Sequence, residues 1–199
     1  GNFDNDPFPE IVIVRRGQVT LLEHDGVVKW GPVAFDTLLN GGFPTVVYVD
    51  GDGIPEIGIA GFTKYSLINA DGSIRWQAST NDGSGLTGSV AFDFDGDGVV
   101  EIAYADDSNL HVFNGLTGNE IFSTPNGSIT GTENPIVVDV DGDNHADLVV
   151  PSSSGIRVFQ NTGNARSGIS TPTTSPISTM MPASRLWRRI TGRRIIITA

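Results

Sequence analysis

Four stretches of this chain place carboxylates at one fixed spacing. They are Asn2-Phe-Asp-Asn-Asp-Pro-Phe-Pro-Glu10, Tyr48-Val-Asp-Gly-Asp-Gly-Ile-Pro-Glu56, Asp93-Phe-Asp-Gly-Asp-Gly-Val-Val-Glu101 and Asp139-Val-Asp-Gly-Asp-Asn-His-Ala-Asp147. Acids recur at positions 1, 3, 5 and 9, and the four stretches hold 14 of the chain's 23 acids. Carboxylates crowded into one tight loop repel each other, so a divalent cation is their natural partner. Calcium suits the pattern, since it takes roughly six to eight oxygens in a flexible shell at ~2.3–2.6 Å. The spacing is not that of an EF-hand, which needs a bidentate glutamate at about position 12. Position 12 is here Ile13, Ile59, Tyr104 and Val150. A plain turn between strands needs about one or two Asp or Gly residues, not three aspartates and a fourth acid at a constant offset.

Other chemistry is sparse. The chain has no cysteine, which excludes a disulfide framework, a thiol nucleophile and thiolate-held zinc or iron–sulfur. His24, His111 and His145 fall in different stretches and form no short metal-binding spacing. His111 lies in an alternating segment and reads as a packed or surface side chain. No nucleophile elbow, phosphate loop or dinucleotide fingerprint occurs. Asn126-Gly-Ser128 is a glycosylation sequon of a kind that arises easily by chance.

The elements that must hold the acidic loops repeat with them. The copies begin at residues 2, 48, 93 and 139, so their spacings are 46, 45 and 46 residues. Each is followed by a short apolar strand: Ile11–Val14, Ile57–Ala60, Ile102–Ala105 and Leu148–Val150. Alternating segments come next, at Gln18–Glu23, Lys64–Asn69, Asn109–Asn114 and Gly155–Gln160. Turns at Asp25-Gly26, Asp71-Gly72 and Thr117-Gly118 lead into Val27–Trp30, Ser73–Trp76 and Asn119–Phe122. Thr45–Val49, Ser89–Phe94 and Pro135–Val140 then run into the next acidic copy. Four short strands per ~45-residue unit is the content of a propeller blade. The fold class is therefore all-β, built of four-stranded antiparallel blades with no helical periodicity. The recurrence of Trp30 and Trp76, with Phe122 at the third place, reads as packing between blades.

The loops and their spacing resemble the calcium loops of FG-GAP/VCBS repeats, the blades of integrin α-subunit-like β-propellers. The resemblance covers roughly residues 1–163. It implies that positions 1, 3, 5 and 9 ligate calcium through side chains and position 7 through its carbonyl oxygen. In the third loop these are Asp93, Asp95, Asp97, Glu101 and Val99; in the fourth, Asp139, Asp141, Asp143, Asp147 and His145. Asn144 takes the glycine position there, and asparagine visits positive φ readily. The second loop offers Asp50, Asp52, Glu56 and Ile54 but has Tyr48 at position 1. The first offers Asn2, Asp4, Asp6 and Glu10, with Pro7 where a left-handed residue is expected and proline cannot serve. About two to four calcium ions are implied, ranked by ligand count, with loops three and four first.

Charge divides the chain. Residues 1–165 carry every acid and six basic groups, a net charge of −17; residues 166–199 carry six arginines and no acid. We read 1–163 as the folded body of about three and a half repeats, and 164–199 as a basic, non-repeat tail. The tail is either a Ser/Thr/Pro-rich linker or the product of a shifted reading frame. An acidic body argues against nucleic acid and anionic membrane surfaces as partners, and no apolar run reaches the ~20 residues of a spanning helix. Glycine at 25 and proline at 11 favour many short turns over a helical bundle. The repeat count leads us to expect an incomplete propeller, completed by the remaining blades of a longer chain. The function expected is a non-enzymatic, calcium-stabilised segment of a secreted or cell-surface protein, acting in adhesion or in recognition of a glycan or protein ligand. The alternatives are a fragment of a propeller-type polysaccharide-degrading enzyme and a purely architectural surface repeat.

Overall fold

The computed structural model describes residues 1–37, 40–128, 131 and 134–161. The tail at 164–199, with both readings attached to it, lies outside the described residues. Among those residues there are fourteen strands and no helix, arranged as four antiparallel sheets. The first sheet holds β1 (Ile11–Arg15), β2 (Gln18–Leu22) and β3 (Val28–Ala34). The second holds β4 (Thr45–Val47), β5 (Glu56–Ala60), β6 (Lys64–Ile68) and β7 (Ile74–Ser79). The third holds β8 (Ser89–Phe92), β9 (Glu101–Ala105), β10 (Asn109–Asn114) and β11 (Glu120–Pro125). The fourth holds β12 (Ile136–Val138), β13 (Asp147–Ser152) and β14 (Gly155–Phe159). Within each sheet the strands follow sequence order, as in propeller blades.

Three apolar layers hold the blades together, one at each boundary. Phe3, Val19, Leu21 and Phe35 of the first blade pack with Ile57, Ile59 and Ile68 of the second. Val47, Val49, Ala60, Tyr65 and Leu67 meet Ile102, Tyr104 and Phe113. Phe94, Ala103, Ala105, Leu110 and Val112 meet Leu148, Val150 and Phe159. The two middle sheets thus bury both faces, which is why every residue of β5 and β9 is buried and why they read as unbroken apolar runs. β1, in contrast, alternates between exposed and half-buried positions.

The third strands run further than their apolar content suggests, to Ala34, Ser79 and Pro125. Their later halves are largely polar or exposed and give little alternation to read. The last strand before each loop is shorter than the sequence suggests, ending at Val47, Phe92 and Val138. The residues that follow turn into the acidic loop instead of pairing. One irregularity recurs. Leu21 pairs Trp30 and Leu22 pairs Val28; Leu67 pairs Trp76 and Ile68 pairs Ile74; Val112 pairs Phe122 and Phe113 pairs Glu120. Lys29, Arg75 and Ile121 are therefore the extra residues of three equivalent β-bulges.

Candidate metal centre

Position 9 is the pivot of every acidic loop. Glu10, Glu56, Glu101 and Asp147 are buried, although each stands at or just before the start of a strand. One oxygen of each accepts the backbone N–H of position 2. Phe3 donates to Glu10 at 2.5 Å, Val49 to Glu56 at 3.0 Å, Phe94 to Glu101 at 2.8 Å and Val140 to Asp147 at 2.9 Å. The side chains of Phe3, Val49 and Phe94 are in turn buried in the layers between blades. An apolar anchor and a charge-assisted hydrogen bond together fold the loop back onto its strand.

Local bonds orient the remaining acids. The position 3 aspartates Asp4, Asp50, Asp95 and Asp141 accept the N–H of position 5 at 3.0, 3.2, 3.1 and 3.2 Å. Asp6, Asp52, Asp97 and Asp143 accept the N–H of Phe8, Ile54, Val99 and His145 at 2.7, 2.7, 2.7 and 2.8 Å. Asp93 accepts from Gly96 and Gly98, and Asp139 from Gly142 and Asn144. Asn2 accepts from Asp4 and Asn5. The tight path needs a left-handed residue at position 4 in all four loops, and a second at position 6 in the last three, where Asn144 has φ 69°. Pro7 does not adopt that conformation, and the first loop turns on Asn5 alone.

These bonds gather some of the expected residues and leave others apart. One oxygen each of Asp93, Asp95 and Glu101 lies within 4.8 Å of the others, and Asp139, Asp141 and Asp147 are gathered in the same way. In the first loop the group is Asp4, Glu10 and Glu23, the last of which the spacing of the acids does not reveal. Asp6, Asp52, Asp97 and Asp143 stay on their own turns, and Ile54, Val99 and His145 give those turns their N–H groups. The second loop gathers around Arg75, which bonds Asp50 and reaches Glu56 Oε1 at 3.3 Å. Lys29 likewise bonds Asp4 and reaches Glu23 Oε1 at 2.8 Å. Among the described residues, no Lys or Arg pairs with the acids of loops three and four; Gln160, a neutral amide, donates to Asp141 at 2.8 Å.

The electrostatics follow these partners. Burial pushes the Glu101 carboxyl up to about 7, and Asp95, Asp93 and Asp97 add to the effect, against the opposing N–H of Phe94. Burial also raises Glu56, but there Arg75 acts in the other direction. Arg75 holds Asp50 below the usual carboxylate range, and Lys29 does the same for Asp4. The N–H of Gly142 lowers Asp139. A buried carboxyl pushed up beside three aspartates is a donor set of hard oxygens with unbalanced negative charge, which fits a hard divalent cation.

A second polar cluster lies at the other end of these strands. His111 is 8% exposed, with Nε2 3.0 Å from Asp106 and Nδ1 2.5 Å from Glu120. Its ring stacks on Phe113. Asp106 also accepts the N–H of Asn81 at 2.8 Å, and Tyr104 donates to Asp82 at 2.6 Å. The connection from β7 to β8 is thereby tied to the β9–β10 hairpin. In the sequence His111 shows only as a residue of an alternating strand. Its two acidic partners come from the neighbouring turn and strand, which only the pairing brings close.

Residues 93–150 match the family described as FG-GAP-like repeat. No curated protein sequence matches the chain. Among solved structures, BamB from Moraxella catarrhalis is 20% identical with a TM-score of 0.53, over 79% of this chain and 47% of its own. BBS1N is 10% identical with a TM-score of 0.55, over 88% and 54%. A rhamnogalacturonan lyase of Bacillus licheniformis is 19% identical with a TM-score of 0.50, over 84% and 38%. Likeness at this identity concerns the fold, and the chain spans about half or less of the length of these proteins. Residues 93–150, from the third acidic loop into the strand that follows the fourth, are thus similar to an FG-GAP-like repeat, and the fold around them is all-β and propeller-like.

Proposed function

We propose that this segment is a calcium-stabilised set of propeller blades from an extracellular or cell-surface protein, with a non-enzymatic role in adhesion or in recognition of a glycan or protein ligand. The observation that carries the calcium reading is the pair of clusters Asp93–Asp95–Glu101 and Asp139–Asp141–Asp147. Each brings three carboxylate oxygens within 4.8 Å, and no basic side chain among the described residues pairs with them. Calcium there would supply fixed positive charge and tie the end of one strand to the start of the next. Asp93, Asp95 and Glu101 would hold one ion, and Asp139, Asp141 and Asp147 the other. The FG-GAP-like repeat over 93–150 spans both loops and supports the same reading.

Calorimetric titration of the chelator-stripped chain with calcium tests it. The expected result is saturable heat that Asp95→Ala and Asp141→Ala each reduce, together with weaker binding of magnesium. No heat from calcium in a folded chain overturns the calcium reading. For recognition, a glycan array and a panel of surface proteins are probed with and without calcium. Signal that chelator abolishes supports the role, and uniform silence by a folded, calcium-loaded chain argues against it.

A further inference from the structure

We infer that loops one and two are not metal sites, because the extra residue of each blade's bulge supplies their cation from within the chain. The inference rests on the calcium reading of loops three and four and departs from it for the first two. One bulge is shared by β3, β7 and β11. In each blade the residue just before the aromatic of the third strand has no partner in the neighbouring strand's register. An extra residue of this kind re-aims its side chain. In the first two blades that residue is Lys29 or Arg75, and it turns onto the acidic loop of its own blade.

The two arrangements correspond part by part. Lys29 bonds Asp4, the position 3 acid of its loop, and Arg75 bonds Asp50, the position 3 acid of the next. Lys29 is steadied at 2.8 Å by Glu23, just past the end of β2. Arg75 Nε donates at 2.6 Å to Asn69, just past the end of β6. Arg75 also reaches the buried position 9 acid, Glu56, at 3.3 Å. In the first loop the acids gathered within 4.8 Å are Asp4, Glu10 and Glu23, two of which hold the Lys29 ammonium. A tethered ammonium or guanidinium and a divalent ion compete for the same oxygens, and the tethered group needs no concentration to bind.

The third blade shows the other outcome. Its bulge residue is Ile121, which carries no charge. Asn114, at the end of β10, has no cation to steady and instead accepts from Thr117 N–H at 3.0 Å and Thr117 Oγ1 at 2.9 Å. The acids of that loop then lack a basic partner among the described residues. The loops without an aspartate at position 1, where Asn2 and Tyr48 stand, are the same two that receive a side-chain cation. Losing the position 1 carboxylate and gaining a basic bulge residue go together.

The test exchanges the bulge residues and counts calcium ions per chain by calorimetry, with circular dichroism as the check of folding. Wild type is expected to bind at loops three and four alone. Arg75→Ile is expected to gain one ion, and Arg75→Gln, which keeps a hydrogen-bonding head without charge, is expected to gain the same ion more weakly. Lys29→Ile reports on the first loop in the same way. Ile121→Arg is expected to lose one ion. Binding at all four loops in wild type overturns the inference, as does a folded Arg75→Ile or Arg75→Gln that gains nothing beyond wild type. A wild-type chain that binds no calcium overturns the reading of loops three and four instead. The difference between each variant and wild type still decides the role of the bulge residue.

Discussion

Trp76 donates its indole N–H to the carbonyl oxygen of Gly115 at 2.8 Å, crossing from the second blade to the third. Trp30 makes the same bond to Ala70 at 2.7 Å, one blade earlier. Each ring lies over the turn that follows: a Cβ on Gly72 would come 3.0 Å from Trp30, and one on Gly118 would come 2.5 Å from Trp76. Both glycines also have positive φ, 86° and 73°. The turn that precedes the bulge in one blade is therefore the platform for the tryptophan of the blade before it.

This relationship sets a stability order. Trp76→Phe keeps most of the ring but removes the donor, and is expected to cost about 1 kcal/mol. Gly118→Ala forces a side chain into a left-handed turn beneath the ring and is expected to cost more, roughly 2 kcal/mol or above. Gly26→Ala is the control, since it shares the positive φ of 88° but no atom lies within 4 Å of its Cβ. Urea unfolding of the three variants checks the order. Equal losses for Gly118→Ala and Gly26→Ala would show that the ring contact contributes nothing.

Chelation is expected to lower the melting temperature by several degrees, and calcium to restore it better than magnesium. An ion at 100 times its dissociation constant stabilises by roughly 2.7 kcal/mol for each site confined to the folded state. For a chain of this size that is about 5–11 °C per site. Asp95→Ala is expected to abolish the share of one site, whereas Asp50→Ala leaves the calcium effect intact and releases Arg75. Calorimetric scans in chelator and in calcium distinguish them.

How much of this was legible in the sequence depends on the range of the contact. The loops could be read because one local spacing recurs: Asp93, Asp95 and Glu101 lie within nine residues, and the strand after them is a buried apolar run. The blade order could be read for the same reason. The partners of the loops could not. Arg75 is 25 residues from Asp50, and what turns it onto the loop is a bulge, visible only as a register shift between Leu67 and Ile68. A trace of it exists, since Lys29 and Arg75 stand 46 residues apart, at the repeat distance, each next to a tryptophan. His111 left even less trace, because Asp106 and Glu120 flank it only once the hairpin has formed.

Those two acids make His111 a pH-dependent tie. Burial opposes its protonation, but Asp106 and then Glu120 outweigh burial, so its pKa lies above the ordinary histidine value. Desolvation would raise Asp106, yet the bonds from His111, Asn81, Ser108 and Asn109 hold it at about 2. Tyr104, on the strand that leads to Asp106, donates to Asp82 of the adjoining connection. A raised histidine contributes stability that is complete below ~6.5 and is lost as pH climbs through the folded value. A depressed aspartate contributes stability that is complete above ~3.9 and is lost as pH falls toward its folded value. The cluster is therefore expected to stabilise most between these limits. His111→Gln removes the charge while keeping polar atoms, and is expected to cost about 1.5–3 kcal/mol at pH 5.5, the range for hydrogen bonds to charged groups. The cost shrinks as pH climbs through the raised value of the ring, so a smaller loss is expected at pH 9. Urea unfolding of both proteins in calcium at the two pH values measures the difference. An equal loss at both would mean that His111 packs as a neutral ring and that its charge holds nothing together.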